Sequence, residues 1–151
     1  MKSGSIYLVV RNFEKSLAFY EKILDMPVSA KNGSRFAIFN YDGLNLCILN
    51  GYYDAENIDK VTRYGEYFGD YDDCQKIAES ENTRKIFINL GVDDLKQEYE
   101  RIQSLGIAAD LTPIRYLCVF SPYWYFVFKD PDGNPIEVTG PYDAQVQQYS
   151  T

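Results

Sequence analysis

Residues 129–140 read Lys129-Asp130-Pro131-Asp132-Gly133-Asn134-Pro135-Ile136-Glu137-Val138-Thr139-Gly140 and follow the aromatic run Trp124-Tyr125-Phe126-Val127-Phe128. Asp130-Pro131-Asp132-Gly133 encodes a turn, because the Pro131 ring fixes its own φ and Gly133 tolerates a positive φ. A short strand follows and carries one carboxylate. Alternation sets Glu137 on the face opposite Ile136 and Val138. A glutamate there either faces solvent or lines a cavity.

Working outward, the same pattern occurs earlier in the chain. Residues 36–49 read Phe-Ala-Ile-Phe-Asn-Tyr-Asp-Gly-Leu-Asn-Leu-Cys-Ile-Leu, and setting Asp42-Gly43 on Asp132-Gly133 brings Cys47 opposite Glu137. Upstream, Leu8-Val9-Val10-Arg11-Asn12-Phe13 lies over Leu90-Gly91-Val92-Asp93-Asp94-Leu95, each followed by a helical pattern. Strand, helix and strand-turn-strand recurring at a period of about 80 residues is the signature of two copies of one module. In the first copy, Asn12 is a helix cap and Leu17, Tyr20, Ile23 and Leu24 form an apolar stripe ended by Met26-Pro27. Strands are expected over residues 6–10, 28–29, 35–40 and 44–50. In the second copy, Asp94 caps a helix over 95–105 that stops at Gly106, with strands over 86–91, 111–114, 116–120, 123–128 and 136–139. Module one spans about 5–50, module two about 84–140, and a polar, poorly ordered tail is expected over 141–151.

Between the modules, residues 51–83 change character. Tyr52, Tyr53, Tyr64, Tyr67, Phe68 and Tyr71 are interleaved with aspartates and glutamates, and a short helix is expected from about Asp73. The segment is either a solvated acidic linker or a lid whose tyrosines cover a ligand.

The motifs Asn12-Phe13-Glu14-Lys15-Ser16-Leu17, Phe87-Ile88-Asn89-Leu90-Gly91-Val92-Asp93-Asp94-Leu95 and Asp130-Pro131-Asp132-Gly133-Asn134-Pro135-Ile136-Glu137 resemble those of the vicinal oxygen chelate superfamily. That group comprises glyoxalase I, extradiol dioxygenases, and the fosfomycin- and bleomycin-resistance proteins. The resemblance implies an α+β fold of two β-α-β-β-β modules whose curled mixed sheets surround a cleft. It also implies a homodimer.

In that family four side chains, from the first and last strand of each module, usually hold a divalent metal. Carried over by motif position, they are Ser5, Cys47, Phe87 and Glu137. Metal-binding relatives tend to have His at the positions of Ser5 and Phe87, and Glu at the other two; only Glu137 agrees. Glu137 and Cys47 are therefore the sole metal candidates, and for Cys47 the favoured reading is a small buried apolar residue. No cofactor is expected, the alternative being a divalent metal such as Zn, Ni, Mn or Fe.

The chain contains no histidine, which removes the commonest general base and the commonest zinc ligand. Its formal net charge of −7 counts against nucleic acid and favours cationic ligands. No apolar run is long enough to span a membrane. Three widely spaced cysteines, Cys47, Cys74 and Cys118, fit reduced thiols in the cytoplasm.

The favoured reading is metal-independent binding of an organic ligand, aromatic or cationic, in an aromatic-lined cleft. Its walls are Ser5, Tyr7, Val9, Cys47, Phe87, Asn89, Glu137 and Thr139, with Tyr116, Tyr123, Trp124 and Tyr125 as further aromatics. Alternation parts Trp124 and Phe126 from Tyr123, Tyr125 and Val127, and both choices of inner face remain open. Arg35 and Arg115 are candidates for binding a carboxylate. If the protein is catalytic, Glu137 is the candidate base, in a metal-dependent lyase, isomerase or dioxygenase like glyoxalase I. A third reading is a degenerate dimeric interaction or regulatory module.

Overall fold

A computed structural model describes residues 1–82 and 84–143. It divides into two compact units, Met1–Glu81 and Asn82–Thr151. The expected tail falls largely on residues 144–151, outside the described residues.

In the first unit, β1 (Ile6–Val10) leads into α1 (Phe13–Leu24), followed by β2 (Ala30–Asn32), β3 (Phe36–Tyr41) and β4 (Leu44–Asn50). Asn12 starts α1 as expected: its backbone is extended and its Oδ1 accepts the Lys15 N–H at 3.0 Å. The helix ends with Asp25 in the left-handed region, one residue before the expected Met26-Pro27 stop. The strands pair in the order β1-β4-β3-β2, with β1 parallel to β4 and the other pairs antiparallel. The α1 stripe packs Tyr20 on Phe39, so Ala37, Phe39, Leu46 and Ile48 form the buried helix-side face.

The second unit repeats this topology. After residues 51–81, which carry the helices α2 to α4, β5 (Ile88–Gly91) leads into α5 (Leu95–Leu105), and β5 with β6 (Arg115–Cys118), β7 (Pro122–Lys129) and β8 (Pro135–Thr139) forms a sheet in the order β5-β8-β7-β6. Here too the first and last strands run parallel. Neither sheet closes, so the architecture is α+β with two open four-stranded mixed sheets. Phe126, Phe128, Ile136 and Val138 are buried on the side of α5, where Tyr99 meets Phe126 edge-on at 5.2 Å. The turn that introduces β8 is organised by buried Asp130, whose side chain accepts the N–H groups of Asp132 and Asn134 at 2.9 and 2.8 Å. Gly133 sits at φ 84, as its place in the turn requires.

Two strand expectations need correction. Residues 111–114 form no strand, because Pro113 has no N–H to donate; Thr112 instead donates its N–H to the Val127 carbonyl, and its hydroxyl oxygen accepts the Val127 N–H. The second strand runs over Ala30–Asn32 rather than 28–29: Val28 donates its N–H to the Glu21 side chain of α1 at 3.1 Å instead of to a strand, and pairing with β3 begins at Ala30 opposite Ile38.

Residues 51–81 are more ordered than the single short helix expected. They carry α2 (Tyr53–Glu56), a 3-10 turn (Ile58–Lys60), α3 (Gly69–Asp72) and α4 (Cys74–Glu79). Arg11 ties the end of α4 to the sheet, donating to the Ala78 carbonyl at 2.9 Å. Asp54, only 8 % exposed, pins α2: Arg35 grips both of its oxygens at 2.7 and 3.1 Å, and Arg63 reaches Oδ2 at 3.3 Å. Arg35 thus binds a carboxylate of its own chain.

The hydrogen bonds from Arg35 hold the Asp54 carboxyl below its usual range, against the opposing effect of burial. A carboxyl whose folded-state pKa is depressed stabilises the fold above the ordinary carboxylate range and loses that contribution as pH falls through the folded value. Acid titration of stability should therefore fall more steeply below about pH 4 in the wild type than in Asp54→Asn, and denaturant unfolding at stepped pH measures the difference.

Candidate functional site

The two sheets place equivalent residues on equivalent rungs. Tyr7 pairs with Cys47 in the first unit, and Asn89 pairs with Glu137 in the second. Both rungs lie on the face turned away from the unit's own helix, because Leu46 and Ile48, like Ile136 and Val138, point toward the helix. The same alternation carries Ser5 and Phe87 to the start of that face. Their chemistry differs sharply. Cys47 is 1 % exposed, whereas Glu137 is half-buried between polar Asn89 on β5 and apolar Val127 on β7. Tyr7 and Phe87 are more than half exposed, and Ser5 and Phe87 stand one residue before β1 and β5 respectively, the latter strand starting at Ile88 rather than at 86.

In the second unit Glu137 is held by two neighbours. Asn89 Nδ2 donates to Glu137 Oε1 at 2.8 Å and the Tyr123 hydroxyl donates to the same oxygen at 2.7 Å. Asn89 also reaches the Tyr123 oxygen at 3.1 Å, closing a triangle of three side chains. Both bonds converge on Oε1, and no described residue bonds Oε2. Burial pushes the Tyr123 phenol above its ordinary pKa, and its bond to Glu137 adds to the effect, so at neutral pH Tyr123 is fixed as the donor. A carboxylate so oriented presents one oxygen to a cation or a hydrogen-bond donor.

β7 settles the inner face. Tyr123, Tyr125 and Val127 share the side of Glu137, with Val127 directly opposite it and Tyr125 opposite Thr139. The Tyr123 and Tyr125 rings stand 5.4 Å apart. Trp124 and Tyr116 therefore do not join Glu137: they pair with each other on the α5 side, rings 4.6 Å apart, and Trp124 also meets Tyr142 at 4.8 Å. Arg115, opposite Tyr125, lies over that ring at 4.8 Å.

A small cavity of about 240 Å³ opens beside this face, lined among others by Arg84, Phe87, Arg115, Val127 and Pro135. Pro135 stands two residues before Glu137 on the same side of β8. Counting along strands finds Asn89, Phe87 and Glu137, but it misses Tyr123 as a partner of Glu137, because register sets Val127 opposite that residue. It also misses Arg84, which lies outside any strand.

Comparison with known proteins fixes the family. The profile of the Glyoxalase/Bleomycin resistance protein/Dioxygenase superfamily matches residues 2–138. The chain belongs to this superfamily. It is 27 % identical over 139 residues to the uncharacterized protein YraH of Bacillus subtilis (strain 168), covering 91 % of this chain and 97 % of that one. Its fold is similar to that of the fosfomycin resistance protein FosX from Listeria monocytogenes, with TM-score 0.59, 22 % identity and coverage of 94 % and 96 %. It is also similar to lactoylglutathione lyase from Agrobacterium tumefaciens, with TM-score 0.57, 15 % identity and coverage of 91 % and 90 %. At these identities the structural likeness speaks for the fold.

The glyoxalase-like fold raises the question of a metal, and the donor set at the four carried-over positions does not fit one. Phe87 has no donor atom, Ser5 has only a neutral hydroxyl, and Cys47 is a buried thiol; Glu137 alone offers an anionic oxygen. A catalytic divalent ion takes about three protein ligands. Among the described residues no group of three or more acidic or cysteine side chains could hold an ion. No helix among them is long and apolar enough to cross a membrane.

Proposed function

We propose that this superfamily member binds a small organic molecule without a metal, on the Glu137 face of its second unit. The observation that carries the reading is the Asn89–Tyr123–Glu137 triangle, which fixes one carboxylate oxygen and leaves the other for a ligand. The ligand offers a cationic or hydrogen-bond-donating group to Glu137 Oε2 and an aromatic or apolar body to Tyr125, Val127 and Phe87. Arg84 and Arg115 in the adjoining cavity accommodate an acidic group at its far end. Family membership supports small-molecule recognition in general, and two of the structural neighbours are named for small molecules, fosfomycin and lactoylglutathione.

Calorimetric titration with phenethylamine, and with phenethyl alcohol as its uncharged analogue, tests this. The amine is expected to bind more tightly than the alcohol. Glu137→Gln, which keeps shape and removes charge, should weaken the amine by about tenfold or more, the scale of one charge-assisted hydrogen bond. Equal affinity of wild type and variant for the amine, or no discrimination between amine and alcohol, would overturn the reading. The same solutions, followed by mass spectrometry, decide whether Glu137 also acts as a base: turnover lost in Glu137→Gln would make the site catalytic.

A further inference from the structure

The first unit holds a second cavity whose chemistry is opposite to that of the Glu137 face. It measures about 440 Å³ and is lined by Asn32, Arg35, Tyr53, Lys60, Thr62 and Arg63, with Asp54 and Val61. It lies between the end of β2, the start of β3 and the segment from α2 to Arg63. Three cations surround it against the single carboxylate of Asp54, a local excess of two positive charges in a chain whose formal net charge is −7.

Asp54 does not neutralise this group so much as aim it. Its two oxygens take Nε and Nη2 of Arg35 and share Nη2 of Arg63. Among the described residues, Nη1 of Arg35 and both Nε and Nη1 of Arg63 have no acceptor. Arg63 is further held by the Asp72 carbonyl at 3.4 Å and by the Tyr67 ring at 5.7 Å. Lys60 spends one N–H on Asn57 Oδ1 at 3.2 Å and has two more to give. Two oriented guanidinium forks and an ammonium around a volume of ligand size match an oxyanion that carries two charges. A purely structural ion pair needs only Arg35 and Asp54; Arg63 and Lys60 are surplus to it.

We propose that this cavity is a binding site for a dianionic oxyanion, a phosphate ester or a dicarboxylate. Arg63 and Lys60 meet the charge, Thr62 and Asn32 supply neutral polar contacts, and Asp54 acts as a positioning residue. The site is built from residues of the first unit alone and does not depend on the reading of Glu137.

Binding is tested by calorimetry on the full chain at about pH 8, where phosphate is largely dianionic. Inorganic phosphate and malonate are the probes, with sodium chloride at matched ionic strength as the reference. At least one dianion is expected to bind saturably where chloride does not. Arg63→Gln and Lys60→Gln, both solvent-accessible changes, should each weaken it about fivefold or more. Phosphate alone would assign a phosphate ester, and malonate alone a dicarboxylate. Because the two variants are tested separately, a folding defect in one leaves the other informative. Overturning results are heats no larger than those of chloride, or variant affinities equal to that of the wild type.

Discussion

Replacing Phe126 by alanine is expected to cost about 4 kcal/mol of stability, since a fully buried ring is removed and a cavity left in its place. Phe126 has no solvent exposure, meets Tyr99 of α5 edge-on and stacks at 6.3 Å on Phe128. The informative comparison is its neighbour. Tyr125 lies on the opposite face, that of Glu137, and Tyr125→Ala should cost about 2 kcal/mol or less, because that side chain is only partly buried. Urea unfolding of the two variants measures both numbers. Similar losses at both positions would contradict the assignment of faces along β7.

Gly140→Ala is expected to cost about 3 kcal/mol, by overpacking rather than by loss of contact. A Cβ at Gly140 would run into the carbonyl oxygen of Val92, and would stand 2.9 Å from Val92 Cγ2. The backbone cannot yield easily on either side. Val92 donates its N–H to the Thr139 carbonyl at 2.9 Å, and Leu95 donates to the Pro141 carbonyl at 3.1 Å. Gly91→Ala is the control: nothing lies within 4 Å of its Cβ, and the change should stay within about 1 kcal/mol of wild type. Thermal unfolding of the pair distinguishes the close approach from a generic intolerance of alanine at the end of the strand.

The framework was legible because it rests on local rules. The cap at Asn12, the turn at Asp130 to Gly133 and the alternation in β7 and β8 each follow from one or two side chains, and the repeat of strand, helix and strand-turn-strand revealed the topology of both units. What failed was non-local. Residues 111–114 are apolar enough for a strand, yet Pro113 breaks the ladder and Thr112 repairs it with a hydroxyl. Residues 51–81 lack a periodic apolar pattern, so the helical turns that Asp54 and Arg11 anchor were mostly missed. At the candidate site, Asn89 and Glu137 came from counting. The inner face of β7 did not, because alternation separates two faces without naming which one the helix covers. Only the contact of Tyr99 with Phe126 decides that, and it joins residues far apart in the chain.

The matched rungs Tyr7–Cys47 and Asn89–Glu137 bear on how a duplicated fold diverges. The backbone asks the same thing of both copies, a parallel pair at that point in the sheet, and says little about the side chains that fill the rung. One copy holds a buried thiol beside an exposed ring, and the other holds an amide and a carboxylate joined by a hydrogen bond. A lineage built on such a scaffold can give up chemistry in one half without disturbing its architecture. Side chains can therefore be exchanged one rung at a time, with the fold left as it is.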